Sequence, residues 1–275
     1  ITRHVSVHLR SMATINLTEK ERPCVKVIKA GFNYSQDGPG NRLVFHLQGC
    51  NMHCPWCANP ESMDVNGCMM VKDEGIINPS FQEYTVEELI EEAKECSGMF
   101  FSGGGVTISG GEPTLQFEEL KAFLSGLHRN GIQTAIETNG THPRIEELFP
   151  VLDLLIVDLK HIDDEIHKKF TGLSNKRTLE TLKKAFLAKQ KMWVRTPLIG
   201  GFNDKEEYAG KFAGFYRQYD TEHAGFELLL YHEYGKEKWR QCKMEYTMKD
   251  AFVDESIRGI YEEEYRENGL CVIRT

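Results

Sequence analysis

No run of 18 uncharged apolar residues occurs in the 275-residue chain, so no segment is expected to span a membrane. The opening stretch, residues 1–18, carries two Arg and two His and lacks the continuous apolar core of a signal peptide, which points to the cytoplasm. Positive charge is also short. The balance of 33 Lys+Arg against 41 Asp+Glu gives a net charge of −8, which disfavours broad nucleic-acid binding through a basic surface but leaves room for a local basic pocket. No linker divides the chain, so one domain over residues 1–275 is expected, with 1–23 as an N-terminal extension. At 40% hydrophobic and 27% charged residues, the sequence is neither collagen-like nor disordered.

The eight cysteines lack the even spread of a disulfide framework. Cys50, Cys54 and Cys57 fall within eight residues, while Cys24, Cys68, Cys96, Cys242 and Cys271 are scattered and read as structural or incidental. Of these five, Cys68 is the candidate for a fourth thiolate, because it lies in a polar stretch close to the cluster.

What the chain does have is an alternation of strand and helix patterns. Core strands are predicted near 43–48, 105–109, 133–138, 153–159, 192–197 and 226–231. Helical patterns follow from Thr85, where Thr85 and Glu88 make a capping box, and over 117–130, 143–149, 178–189, 204–219 and 254–268. A last short strand is expected at 271–273, and residues 58–84 read as an excursion loop. A βα repeat implies a parallel sheet, and both a partial (β/α)6 barrel with six parallel strands and a doubly wound sheet satisfy the periodicity. The barrel is favoured by what sits at the strand ends. In order these are Cys50, then Ser109-Gly110-Gly111-Glu112, Glu137-Thr138-Asn139, Asp158 with Lys160, Arg195 and His232. The carboxyl ends of parallel strands are where such folds place active sites.

The cysteine loop reads C-x3-C-x2-C, with Trp56 just before its last cysteine. Three thiolates on one compact loop can hold three corners of an iron–sulfur cluster and leave one iron open, and Trp56 would shield one face. Zinc is the alternative, but it needs a fourth protein ligand, and His53 is awkwardly adjacent to Cys54.

This loop resembles that of the radical S-adenosylmethionine (SAM) superfamily. More narrowly, the chain is similar to the glycyl-radical-enzyme activating enzymes of the pyruvate formate-lyase activase type. The resemblance covers about residues 24–265 and rests also on Asp37-Gly38-Pro39-Gly40, Asn59-Pro60, Gly103-Gly104-Gly105-Val106-Thr107, Ser109-Gly110-Gly111-Glu112-Pro113, Thr138-Asn139-Gly140, Asp158-Leu159-Lys160 and Tyr231-His232-Glu233. It implies one [4Fe–4S] cluster on Cys50, Cys54 and Cys57, whose open iron binds the amino and carboxylate groups of SAM. Reductive cleavage then yields methionine and a 5′-deoxyadenosyl radical that takes hydrogen from a backbone glycine of a partner glycyl radical enzyme. Flavodoxin or ferredoxin is the implied electron donor, and a monomer is expected.

By the same resemblance, Gly110, Gly111 and Glu112 meet the methionyl amino group, Asn139 helps to place the ligand, and His232 lies at the adenosine end. Glu137, Thr138 and Asp158 would hold a Na+ or K+ ion near the SAM carboxylate. Lys160 and Arg195 would reach that carboxylate or the ribose hydroxyls. The competing reading makes the two acids ordinary partners of Lys160 and Arg195. The stretch 58–84 holds only Cys68 and so no auxiliary cluster, which matches the simpler pyruvate formate-lyase activase type, while the chain departs from that type in the length of this stretch, in its first 23 residues and at Asn41, where an apolar residue is usual. The alternative within the superfamily is action on a small molecule or nucleotide. Two further surfaces are candidates for contact with a partner: the basic patch Lys236, Lys238, Trp239 and Arg240, and the segment Leu198-Ile199-Gly200-Gly201-Phe202. His4 and His8 alternate with Val5 and Val7, as on a strand face.

Overall fold

The structure is a computed structural model that describes residues 24–72 and 75–275. The N-terminal extension, with His4 and His8, lies outside the described residues. The chain begins with β1 (Cys24–Tyr34), β2 (Asn41–Leu47), β3 (Met69–Val71), β4 (Ile77–Pro79) and β5 (Gln82–Thr85). Then come α1 (Val86–Glu95), β6 (Gly105–Gly110), α2 (Phe117–Arg129), β7 (Thr134–Thr138), β8 (Leu154–Asp158), α3 (Asp164–Thr171) and α4 (Lys176–Leu187). Last are β9 (Met192–Leu198), α5 (Glu206–Tyr216), β10 (Ala224–Leu230), α6 (Lys236–Gln241), α7 (Glu255–Glu267) and β11 (Val272–Ile273).

Nine of these strands make one sheet in the order β11-β10-β9-β8-β7-β6-β2-β1-β5. From β2 to β11 every neighbouring pair is parallel, so the six expected core strands and the short last one stand side by side in chain order. β1 and β5 extend the edge antiparallel, and β5 and β11 occupy opposite edges of the sheet. β8, Leu-Leu-Ile-Val-Asp, is buried along its apolar run, as a parallel strand covered on both faces must be. Phe45, Ile108, Leu120, Phe123, Leu155, Phe212 and Phe226 lie in the main core.

Two expectations need correction, and one strand was not expected. β1 escaped the periodicity because its register shifts between Val27 and Lys29, so the alternation of Val25 and Val27 does not continue. The stretch 58–84 is not a featureless loop. It carries a 3-10 turn at Pro60–Ser62, the separate hairpin β3–β4, and β5. Strands of three residues are too short to show a period. The segment expected as a helix over 143–149 is a 3-10 helix, Ile145–Val151, with Pro150 inside it. By contrast, the Thr85–Glu88 capping box is formed as expected, with Thr85 N–H donating to Glu88 Oε2 at 2.7 Å and Glu88 N–H donating to Thr85 Oγ1 at 3.2 Å.

Gly104 and Gly105 are required by close backbone packing. A Cβ on Gly104 would lie 1.9 Å from the Asn41 carbonyl oxygen, and one on Gly105 would lie 2.2 Å from that of Gln133. These glycines let the chain entering β6 pass against β2 and the start of β7. Asn41 is buried there and donates from Nδ2 to the Met99 carbonyl at 2.8 Å, so a polar residue is satisfied at this position.

Candidate functional site

The cysteine loop leaves the end of β2 and is held at its root. Gln48 Nε2 donates to the carbonyls of Glu61 at 2.8 Å and Asp64 at 2.6 Å, and Gln116 Nε2 donates to the Gln48 carbonyl at 3.0 Å. The end of β6 crosses directly beneath it. Glu112 N–H donates to the Gly49 carbonyl at 2.7 Å, and a Cβ on Gly111 would stand 2.2 Å from that same oxygen. Gly110 has φ +122, and a Cβ there would lie 2.2 Å from Leu47 N. The smallness expected for a ligand's approach is therefore demanded first by the protein's own backbone.

Cys50, Cys54 and Cys57 line one cavity of about 240 Å³ together with Met52, Trp56, Gly110 and Gly111. Glu137, Thr138, Asn139, Asp158, Lys160, Pro197 and His232 also line it, so the carboxyl ends of five strands besides β2 meet the loop. Burial pushes each of the three thiols up to about 12. Backbone N–H groups already point at two of the sulfurs, Met52 to Cys50 Sγ at 3.4 Å and Asn59 to Cys57 Sγ at 3.3 Å. The Lys160 ammonium adds positive charge to the same wall. Burial alone would lower its pKa, but Asp158 and the Cys54 sulfur outweigh burial and hold it charged. Sulfurs supplied with donors and a neighbouring cation suit an anionic thiolate-bound cluster.

Among the described residues, no group of three or more His, Cys, Asp or Glu is gathered closely enough for a single metal ion. The three sulfurs surround a cavity instead, which fits a multi-iron cluster whose thiolates each bind a different iron. His53 is exposed and does not line the cavity, so it is not placed as a zinc ligand. Cys68 is not a fourth thiolate here; its sulfur lies 3.6 Å from that of Cys242. Trp56 is buried, with ring centroids 4.6 Å from Phe202 and 6.3 Å from Phe170. The segment 198–202, expected as a contact surface, is therefore largely a backing for the loop, with Leu198, Ile199 and Phe202 buried.

Glu112 does not line the cavity. Its carboxylate is fully buried and accepts from Thr114 N–H at 3.0 Å, Thr138 Oγ1 at 2.7 Å and Asn139 N–H at 2.7 Å. It braces two cavity-lining residues, Thr138 and Asn139. Arg195 is likewise committed to the protein. Nη1 donates to Glu137 at 2.6 Å, Nε to Glu227 at 2.8 Å, and Nη2 to the Gln36 carbonyl. Glu137 gives its other oxygen to Ser109 Oγ at 2.8 Å, and Asp158 accepts from Lys160 Nζ at 3.0 Å. The ion-pair alternative thus describes these acids in this structure. Burial pushes the Glu137 carboxyl up, yet the Arg195 guanidinium, the Ser109 hydroxyl and the Lys160 ammonium together outweigh it and hold the pKa below its ordinary value.

Sequence reasoning missed Glu227, whose signal was a lone acid within an apolar strand, and Ser109 as a partner of Glu137. The basic patch proves to be α6. Lys238 Nζ bonds Asn59 Oδ1 at 2.6 Å and Glu61 Oε1 at 2.7 Å, Lys236 pairs with Glu233, and Arg240 pairs with Glu237. Trp239 is buried and donates from Nε1 to the Cys57 carbonyl at 2.9 Å. These charges are matched within the chain and do not form an open basic surface. His232 is exposed and stacks on Tyr234 with centroids 4.2 Å apart. It lies between the first cavity and a neighbouring one of about 590 Å³, which share Ala58, Asn59, Ser109, Glu137 and Leu229.

The family model of the radical SAM superfamily matches residues 44–213. The pyruvate formate-lyase 1-activating enzyme of Escherichia coli (strain K12) is 36% identical over 239 residues, covering 82% of this chain and 91% of that protein. The pyruvate formate-lyase-activating enzyme of Staphylococcus aureus (strain USA300) is 34% identical over 236 residues, covering 82% and 89%. A crystal structure of a domain of pyruvate-formate lyase-activating enzyme from Bacteroides vulgatus ATCC 8482 superposes with a TM-score of 0.52 at 27% identity, covering 62% of this chain and 98% of that one.

Proposed function

The chain belongs to the radical SAM superfamily, and we propose that it is an activase that installs a glycyl radical in a partner enzyme, pyruvate formate-lyase or a relative. The observation that carries this reading is the meeting of three cysteine sulfurs with the ends of five further strands on one cavity. Cys50, Cys54 and Cys57 would hold a [4Fe–4S] cluster, which, with a flavodoxin or ferredoxin as electron donor, would supply the electron for reductive cleavage of SAM and hydrogen abstraction from the partner's glycine.

The chain's own residues bind, orient and exclude water. Gly110, Gly111 and Asn139 offer the backbone and amide groups nearest the loop, the Lys160 ammonium favours a carboxylate, and His232 offers an aromatic face at the mouth. Trp56, wedged on Phe202, keeps water from the loop's far side. Arg195 and Glu112 act as positioning residues. A Na+ or K+ ion at Asp158 and Thr138 would have to share Asp158 with Lys160. The open parallel sheet with its outer helices is read as a partial (β/α)6 barrel. Among the described residues no helix is long and apolar enough to cross a membrane.

The test is anaerobic reconstitution with iron and sulfide, reduction, and assay for 5′-deoxyadenosine together with an electron paramagnetic resonance search for a glycyl radical on pyruvate formate-lyase. Both products are expected. Deoxyadenosine without a glycyl radical, with a modified metabolite instead, would favour a small-molecule substrate.

Glu112→Ala is expected to weaken SAM binding by about tenfold or more while iron content stays at the wild-type level, because Thr138 and Asn139 lose their buried acceptor. Equilibrium binding and iron analysis decide this, and an unchanged affinity would remove the bracing role.

A further inference from the structure

Cys68 and Cys242 are far apart in sequence, yet their sulfurs are 3.6 Å apart, and neither lines the cavity. Both are half-buried. Cys68 directly precedes β3, and Cys242 caps the C-terminus of α6. Each is tied to a different part of the cysteine loop's surroundings. On one side, Cys68 N–H donates to Ser80 Oγ at 3.0 Å, and Ser80 Oγ donates at 3.2 Å to Gln48, the residue at the loop's root. On the other, α6 grips the loop's far end through Trp239 on the Cys57 carbonyl and Lys238 on Asn59 and Glu61. The two sulfurs therefore sit at the seam between the insertion and the helix that closes over the loop.

We propose that Cys68 and Cys242 are a redox-active pair that closes to a disulfide by exchange with a low-molecular-weight disulfide such as oxidised glutathione, fastening α6 to the insertion. The Cys68 thiolate attacks one sulfur of glutathione disulfide. That S–S bond breaks, and one glutathione leaves and takes up a proton. Cys242 then gives its proton to water and attacks the Cys68 sulfur of the mixed disulfide, expelling the second glutathione, which is protonated in turn. Two protein thiols are oxidised, one small disulfide is reduced to two thiols, and no other reactant is needed. The sulfurs need only approach from 3.6 Å to about 2.05 Å. Burial, then neighbouring Cys68 and Glu61, push the Cys242 thiol up to about 12, with Lys238 opposing, so Cys242 stays protonated while Cys68 makes the first attack.

The consequence is mechanical. α6 follows directly on His232 and Tyr234 at the mouth of the larger cavity, so the bridge would hold that mouth and the cysteine loop's end in one arrangement.

The experiment incubates the cluster-loaded protein anaerobically with a series of reduced-to-oxidised glutathione ratios, followed by acid quench, alkylation and peptide mass spectrometry. A linked Cys68–Cys242 peptide is expected, with both thiols lost to alkylation together. In Cys242→Ser the remaining Cys68 should carry glutathione and form no link, and in Cys68→Ser the remaining Cys242 should stay open to alkylation. Glutathione on single cysteines of the wild-type protein without a link would overturn the proposal, as would a link from Cys68 to a cluster cysteine. Hydrogen exchange over 236–242 should slow by about tenfold in the oxidised wild-type protein and not in Cys68→Ser. Equal rates in oxidised and reduced wild-type protein would overturn the fastening.

Discussion

Cys50→Ala, Cys54→Ala or Cys57→Ala is each expected to abolish the iron–sulfur cluster and all SAM cleavage, while the far-ultraviolet circular dichroism stays that of the folded chain. On the proposed assignment each sulfur holds one corner, and among the described residues no fourth thiol lines the cavity, since Cys68 is turned to Cys242. Two remaining corners leave two irons without a protein ligand, which is why the loss is complete rather than graded. The fold should survive. The loop is also held by Gln48, by the Trp239 bond to the Cys57 carbonyl and by the packing of Trp56, none of which uses a cysteine side chain. Iron and sulfide per chain after anaerobic reconstitution, with 5′-deoxyadenosine yield, measure the outcome. A full-strength cluster in any one of the three variants would break the ligand assignment.

Arg195→Leu is expected to cost about 3–5 kcal/mol and to lower Tm by on the order of 10 °C. The side chain is buried between Glu137 and Glu227, and its removal leaves two acids inside the protein without their cation. The pH dependence should also change sign. In the natural chain the Glu137 pKa is held below its ordinary value, so the folded state binds fewer protons than the unfolded one. That contribution is present above the ordinary carboxylate range and is lost as pH falls through the lowered value. Without Arg195, burial pushes the Glu137 carboxyl up instead, and folding then favours the protonated form. The variant should therefore lose less stability at about pH 5 than at about pH 8. Thermal melts at the two pH values, with Arg195→Leu/Glu137→Gln expected to recover part of the loss, decide the matter. A variant melting with the natural protein at both values would show that the network contributes little.

Much of this was legible from local pattern. The six parallel strands followed from apolar runs set between helical periods, and the cysteine loop announced itself by spacing alone. Helix α1 carried its start in Thr85 and Glu88. The missed strands lack a readable period. The hairpin β3–β4 is too short to show a period, and the shift inside β1 breaks one. α3 begins at the Asp163 cap and ends at Gly172 in the left-handed conformation, signals that were present but not joined.

The order of residue types along the chain determined which elements form, which three sulfurs are grouped, and that chemistry gathers at strand ends, because period and spacing are properties of neighbours. Only the tertiary structure decided that Arg195 serves Glu137 and Glu227, that Glu112 braces Thr138 and Asn139, and that Cys68 meets Cys242. Those pairings depend on which strands lie side by side and how far a loop folds back. Burial then sets the outcome, since a charge removed from water takes the partner that packing brings within hydrogen-bond reach.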